Sequence, residues 1–398
     1  MTKTFSRRAV LAGGTAAVGL LATPAVRAQP AAIKIGSLTP LTGAGGSYGP
    51  VMRDAIVGVI NQVNTAGGVL GRQIQVVTED TQTNPEAAVR AARKLIDVDR
   101  VSAITGTWAS AVTTAVAPLC WENKVVLCTV SGADSITALP HQGYIFRTQP
   151  TTTLQFQNVM RFIQQNGGTR IFYAGPQTPF AAGWIEMMRA FTTANNLFSA
   201  SMIYENNKTS YRSEVDEILR SRPDFIFLGG YVPDSTVLLR DLFRASYQGK
   251  IMGPAYAVNQ QLVDAVPAEV TNGVIIYEPW GAVESGGYRR AQQIVNRQEV
   301  DPYTAQTYDH ANLLALAIQA AGDPAGQAIR DAMRRVSQGG GDAVDNAVDG
   351  LRLLRENKKI DYTGASGPCD FLDNGDIAGT QFRYQRVNNK RFETLRIG

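Results

Sequence analysis

Histidine is nearly absent: the 398 residues hold two, His141 and His310. That count excludes a His-rich metal site and leaves few sources for a His-based catalytic triad. Cysteine is almost as scarce. Cys120, Cys128 and Cys369 do not have metal-ligand spacing, and Cys128 lies in the apolar run VVLC, where a buried thiol is expected. A Cys120–Cys128 bridge stays open, because spacing alone cannot decide it. Net charge is also missing. The formal charge is +4, and Lys3, Arg7, Arg8 and Arg27 supply all of it, since no acid precedes residue 29. The chain beyond residue 28 is formally neutral and has no basic stripe, which argues against a nucleic-acid partner. The one long apolar stretch, Ala9 to Ala22, is too short and too rich in Ala and Gly to span a bilayer comfortably.

That stretch reads instead as part of an export signal. Residues 1–28 have a basic start, a modest apolar centre and small residues, Val26 and Ala28, at the −3 and −1 positions of a cleavage after Ala28. The run SRRAVL around Arg7-Arg8 is similar to the twin-arginine motif, with Val10 where Phe is usual. The expectation is a periplasmic protein exported by the twin-arginine route. No lipobox cysteine stands at the cleavage point.

About 370 residues remain, enough for two domains. Short runs rich in Val, Ile and Thr alternate with helical patterns. IKIGSL, IQVVTED, VSAITG, VVLCTV and YIFRTQ form one series of strands. RIFYAGP, SASMIYEN, DFIFLGGY, KIMGPAYA and GVIIYEPW form a second series after Pro150. Between strands, Met52, Ala55, Ile56, Val59, Ile60 and Val63 share one helical face. Asn84 and Pro85 mark a helix start. This alternation predicts an α/β fold of two Rossmann-like lobes with parallel sheets. In such sheets, ligands bind beyond the carboxyl ends of the strands.

The loop SLTPLTGAGGSYG, residues 37–49, sits at such an end and invites comparison with a dinucleotide-binding turn. It fails the test. With Gly43 and Gly45 as the first two glycines, the third position holds Tyr48, which blocks the close helix–strand approach. A P-loop is absent, since Arg244 stands where the first glycine before Gly249-Lys250 belongs. There is no G-x-S-x-G and no H-E-x-x-H. The acidic run DFLDNGD, Asp370–Asp376, lacks calcium-loop spacing and reads as a solvated hairpin turning at Asn374-Gly375.

Two helix starts carry more information. TGTWAS ends a strand at a helix that opens on Ser110, where free N–H groups suit a carboxylate and the hydroxyl adds a donor. A cap on its own helix is the plainer role for Ser110. GGYVPDSTVLLRDLF places Asp234 ahead of another helix, as a cap or as an anion able to pair with an ammonium group. Donors on one lobe and an acceptor on the other are the layout a zwitterion needs. Tyr48, Trp108, Phe180, Tyr231 and Trp280 fall in loops at strand ends, where aromatics line pockets as well as cores.

These stretches, together with INQVNTAGGVLGRQIQVVTED, NPEAAVRAARKLI, ITGTWASAVTTAVAP and GPCDFLDNGDIAG, make the chain similar to the periplasmic leucine/isoleucine/valine-type solute-binding proteins of ABC transporters. The resemblance runs from about Ile33 to the C-terminal hairpin. It implies a type I periplasmic binding fold with three crossings, near Gln149–Thr151, Pro279–Trp280 and residues 350–360. The lobes would be 33–149 with 280–352, and 150–279 with 353–398. It implies that Ser110 and backbone groups of Ser131, Gly132 and Ala133 hold a ligand carboxylate. It gives Asp234 the ammonium, and sets Tyr48, Phe180 and Tyr303 around the ligand side chain. It implies no enzyme activity, no cofactor and no metal, and a membrane permease as partner. Two features depart from relatives: EDTQTNP and GTWAS hold no cysteine pair, and Trp108 is bulky beside Ser110. The expected ligand is a branched-chain or other apolar amino acid. An aromatic or aliphatic carboxylate, an amide or a urea-type ligand stays open, and a periplasmic enzyme is disfavoured.

Overall fold

The computed structural model describes Met1 and residues 31–398; the expected export signal, Met1 apart, lies outside the described residues. Five parallel strands build the first sheet: β1 (Ile33–Thr39), β2 (Ile74–Asp80), β3 (Ala103–Thr107), β4 (Val126–Thr129) and β5 (Ile145–Arg147). Their order is β2-β1-β3-β4-β5. The second sheet holds β6 (Arg170–Pro176), β7 (Phe198–Tyr204), β8 (Phe225–Leu228), β9 (Lys250–Pro254) and β10 (Ile275–Trp280), all parallel. A small parallel pair, β11 (Asp342–Val344) and β12 (Ile360–Tyr362), stands apart. The hairpin of β13 (Gln381–Asn388) and β14 (Arg391–Ile397) then extends the second sheet antiparallel, giving β14-β13-β10-β9-β8-β6-β7.

Local chemistry explains the elements. In the helix Gly49–Thr65, the stripe Met52, Ala55, Ile56, Val59, Ile60 and Val63 is buried, as its spacing predicts. Asn84 caps the next helix by accepting from the Ala87 N–H, with Pro85 in the first turn. The helix Pro302–Ala321 starts at Asp301, whose carboxylate accepts from the Tyr303 and Thr304 N–H groups, and stops at Gly322 with φ +70°. It is buried on every face from Tyr303 to Ile318, so it forms the axis of the first lobe's core. All three cysteines are free, buried thiols, so the Cys120–Cys128 bridge does not form. Burial pushes the Cys120 thiol up to about 12, which keeps it inert.

The third crossing differs from expectation. The chain does not return to the second lobe near residue 353. Tyr362, Ala365, Cys369, Phe371 and Ile377 are all part of the first lobe's core. The Asp309 carboxylate, on the axial helix, accepts from the Ala365 and Ser366 N–H groups and from the Tyr362 hydroxyl. The Arg147 N–H donates to Gly375 O at 2.8 Å. Only past Ala378 does the chain leave for β13, so the first lobe extends to about residue 378. Irregular backbone hides this from sequence patterns, because its anchors are single polar groups far away in the chain.

Both sheets change winding direction at one point, between β1 and β3 and between β6 and β8. In open parallel sheets the loops diverge at such a switch and leave a ligand crevice there. The loops beyond those four strand ends are 40–48, 108–109, 177–178 and 229–231. The two crevices face one another across the lobes.

Candidate functional site

A small cavity lies where the crevices meet. The first lobe contributes Trp108, Ala109, Ser110, Val130, Gly132 and Tyr303; the second contributes Thr178, Phe180, Gly229, Tyr231 and Tyr256. Gln149 and Gln155 line it from the first crossing and the helix that follows. Among the described residues, no Asp, Glu, Lys or Arg side chain lines it.

The polar end is built at the start of the helix Ser110–Glu122. Ala109 is its N-cap and no side chain caps it, so the N–H groups of its first turn stay available beside the cavity. Ser110 therefore does not cap its own helix. Its Oγ accepts from the Ala133 N–H at 3.2 Å, which leaves the hydroxyl hydrogen free to donate. The loop 131–133 meets the site through Gly132. The Ser131 N–H is taken by Thr129 Oγ1 and its hydroxyl by Trp108 O and Thr113. Ser131 and Ala133 thus lie behind the cavity wall rather than in it. A Cβ on Gly132 would come within 2.8 Å of Gln155 Nε2, so glycine keeps this wall open.

The apolar end is an aromatic cluster. Trp108 has four aromatic neighbours, with ring centroids 5.4 Å away for Tyr231, 5.7 Å for Tyr48 and Tyr303, and 5.8 Å for Tyr256. Tyr231 and Tyr256 belong to the second lobe, so the cluster spans both lobes. Phe180 adds another edge, 6.3 Å from Tyr256. Burial pushes the Tyr231 hydroxyl up to about 12 and raises those of Tyr303 and Tyr256 further, so these phenols stay neutral at ordinary pH.

Two expected residues stand elsewhere. Tyr48 is not in the wall. It packs behind Trp108 and Tyr303, and its hydroxyl donates to Ala255 O of the other lobe at 3.3 Å. Asp234 is not a cap but the third residue of the helix Val232–Arg244, whose N-cap is Tyr231. Its Oδ1 lies 2.6 Å from the Tyr211 hydroxyl and accepts from the Asn207 N–H at 2.7 Å. That carboxylate faces the buried Tyr204–Tyr211 pair rather than the cavity. Trp280, at the end of β10, packs under the Arg383 guanidinium.

Seven lining residues were missing from the sequence-based set, and four of them, Gln149, Gln155, Thr178 and Tyr256, carry polar side chains. Gln149 gives its Oε1 to Gln306 at 2.8 Å, which leaves its amide nitrogen as a donor. Both ends of Gln155 are used, by Pro150 O and the Tyr277 hydroxyl. Thr178 caps the helix Pro179–Ala194 through the Ala181 N–H, and the Thr-Pro pair before an apolar stripe was the signal for it. Tyr256 sits in a short turn after β9 that carries no motif.

Comparison with known proteins settles the family. Residues 32–390 match the model of the periplasmic binding protein family. The chain belongs to the periplasmic binding protein family. Its relatives include the chemotactic signal transduction system substrate-binding protein BasB of Halobacterium salinarum, 27% identical across 85% of this chain and 83% of that protein. The leucine-, isoleucine-, valine-, threonine- and alanine-binding protein of Pseudomonas aeruginosa is 24% identical across 76% of this chain and 82% of its own. Among solved structures, a leucine-binding protein LivK from Thermotoga maritima aligns with TM-score 0.77 at 20% identity, over 92% of this chain and 98% of that one. A solute-binding protein of an ABC transporter from Rhodopseudomonas palustris HaA2, in complex with p-hydroxybenzoic acid, aligns with TM-score 0.73 at 17% identity, over 92% and 97%. These structures share the family's two-lobed α/β fold.

Proposed function

We propose that this member of the family is the solute-binding component of an ABC importer, exported to the periplasm, and that it binds an apolar amino acid between its lobes. The observation that carries this is the cavity itself. An uncapped helix start, the Ser110 hydroxyl and the Gly132 wall offer donors for a carboxylate, and aromatic rings from both lobes surround an apolar side chain. A ligand touching both lobes shifts the population towards the closed form, which then docks on a membrane permease. Relatives whose names give leucine, isoleucine and valine as ligands support the reading.

The first test is a thermal-shift screen with L-leucine, L-isoleucine, L-valine and 4-hydroxybenzoate, since a ligand held by the native state raises the melting temperature. Stabilisation by the amino acids supports the proposal; no stabilisation by any α-amino acid sinks it. Ser110→Ala removes a hydroxyl donor and should weaken any carboxylate ligand about tenfold, measured by calorimetry. An unchanged affinity would take Ser110 out of the site.

One observation favours a second reading, an aromatic carboxylate without an ammonium group. Among the described residues no acidic side chain lines the cavity, and Asp234 is engaged by Tyr211 and Asn207. Asp234→Asn separates the two. For an amino-acid ligand whose ammonium group displaces Tyr211 from the Asp234 carboxylate, affinity for L-leucine should fall more than about tenfold, the loss of one charge-assisted contact. For the second reading, affinity for 4-hydroxybenzoate should stay the same, while the melting temperature drops in both cases.

A further inference from the structure

The acidic run near the C-terminus is not simply solvated. Asp370 and Asp373 are exposed, but Asp376 is 5% exposed and meets Arg147, which is fully buried at the end of β5. Arg147 Nε and Nη2 donate to Asp376 Oδ1 at 2.8 and 2.6 Å. Nη2 also reaches Thr137 Oγ1 at 2.8 Å, and the Thr137 hydroxyl donates to Asp376 Oδ2 at 3.1 Å. The remaining nitrogen, Nη1, donates to Ala133 O at 2.6 Å and to Ser131 O at 3.4 Å.

We propose that Arg147 and Asp376 are positioning residues that set the geometry of the loop 131–133, and through it the site's affinity for a carboxylate. The proposal rests on the functional reading above, in which that loop borders the ligand carboxylate. The guanidinium grips the carbonyls on both sides of Gly132. Drawing Ser131 O outward fixes the peptide plane that carries the Gly132 N–H, and drawing Ala133 O outward anchors the far side of Ala133; the Gly132 oxygen between them, in the plane that carries the Ala133 N–H, accepts from the Thr152 N–H at 2.7 Å. The Ala133 N–H in turn orients the Ser110 hydroxyl. Asp376 holds the guanidinium in place, and its turn is locked to β5 by Gly375. A Cβ there would stand 2.0 Å from Ile145 O, and φ is +84°, so only glycine fits. A role in stability alone explains this arrangement poorly, because a buried ion pair is often matched or bettered by apolar residues of like volume.

The test separates position from stability. Asp376→Asn keeps the shape but removes the charge; Arg147→Met with Asp376→Leu replaces the pair by apolar side chains. Each is compared with the wild type by hydrogen exchange at residues 131–137 and 103–107, and by calorimetry with L-leucine and L-leucinamide. Exchange should rise at 131–137 and hold at 103–107. Affinity for L-leucine should fall about tenfold, a charge-assisted hydrogen bond's worth, with little change for the amide. A uniform rise across the lobe, or equal losses for both ligands, would overturn the proposal and leave a structural ion pair. If the wild type binds neither compound, the amino-acid reading fails and hydrogen exchange alone decides the proposal: a rise confined to 131–137 upholds it, and no change there overturns it.

Discussion

Trp108→Ala is expected to weaken ligand binding by about two orders of magnitude, and to weaken lobe closure with it. The ring is 5% exposed and touches four tyrosines. Its contacts divide by lobe. Tyr48 and Tyr303 belong to its own lobe and persist when the lobes separate, so their loss lowers the stability of the lobe. Tyr231 and Tyr256 belong to the other lobe, so their loss falls on the closing equilibrium. Aromatic pairs contribute about 0.5–1.5 kcal/mol each beyond area burial, so two pairs plus a lost ligand wall amount to about 3 kcal/mol, near a hundredfold in affinity. Calorimetry with the best ligand measures the first effect, and small-angle scattering of the liganded protein the second. Trp108→Phe should recover most of both. A full-affinity alanine variant would remove the aromatic cluster from the binding mechanism.

The second large effect is on pH and stability. His310 lies wholly within the first lobe, its Nδ1 3.0 Å from Thr105 Oγ1 and its Nε2 2.8 Å from Thr148 Oγ1. Burial pushes its pKa down to about 3. In the unfolded chain the imidazole titrates near 6.5. Between those values the unfolded state holds a proton that the folded state does not, so stability falls as pH drops. The contribution is complete above pH 6.5 and is lost towards pH 3. Asp309 acts in the opposite sense: burial raises it to about 6, so the folded state binds the extra proton between the unfolded value and 6. The wild-type profile mixes the two, and His310→Gln isolates the first. Its stability deficit relative to wild type should shrink by about 2 kcal/mol between pH 6.5 and 5, at about 1.4 kcal/mol per pH unit. Urea unfolding at the two pH values measures it. A deficit independent of pH would mean that His310 titrates alike in the folded and unfolded states.

How much was legible in the sequence depended on how locally each feature is determined. The apolar stripe from Met52 to Val63, the Asn84-Pro85 start and the strands of both sheets follow from periodicity and caps within a few residues. Trp108, Ser110, Phe180 and Tyr231 reach one cavity because strand ends at the switch points dictate where their loops and helix starts lie, while Gly132 joins them from the loop after β4 and Tyr303 from the first turn of the axial helix. Asp234 shows the limit. An acid in a first helical turn looks the same in sequence whether it faces a cleft or a tyrosine 23 residues away. Gln149 and Gln155 carry no pattern, because their place depends on partners more than a hundred residues distant, Gln306 and Tyr277. The third crossing went astray for the same reason, since Asp309 and Arg147 hold the segment from afar.

Tyr48 gains a meaning that the glycine-rich loop alone did not suggest. Its hydroxyl reaches Ala255 O, and beside it the Ser47 hydroxyl donates to Gln261 Oε1 at 2.6 Å, both across the lobes and both outside the cavity wall. Energy gained at such contacts is the same for every ligand that lets the lobes shut. It multiplies all affinities by one factor and changes no ratio between them. The rim therefore acts as a volume control and the cavity as a tuner: substitutions at Ser47 or Tyr48 should raise or lower every dissociation constant together, while those at Phe180 or Tyr256 should reorder them.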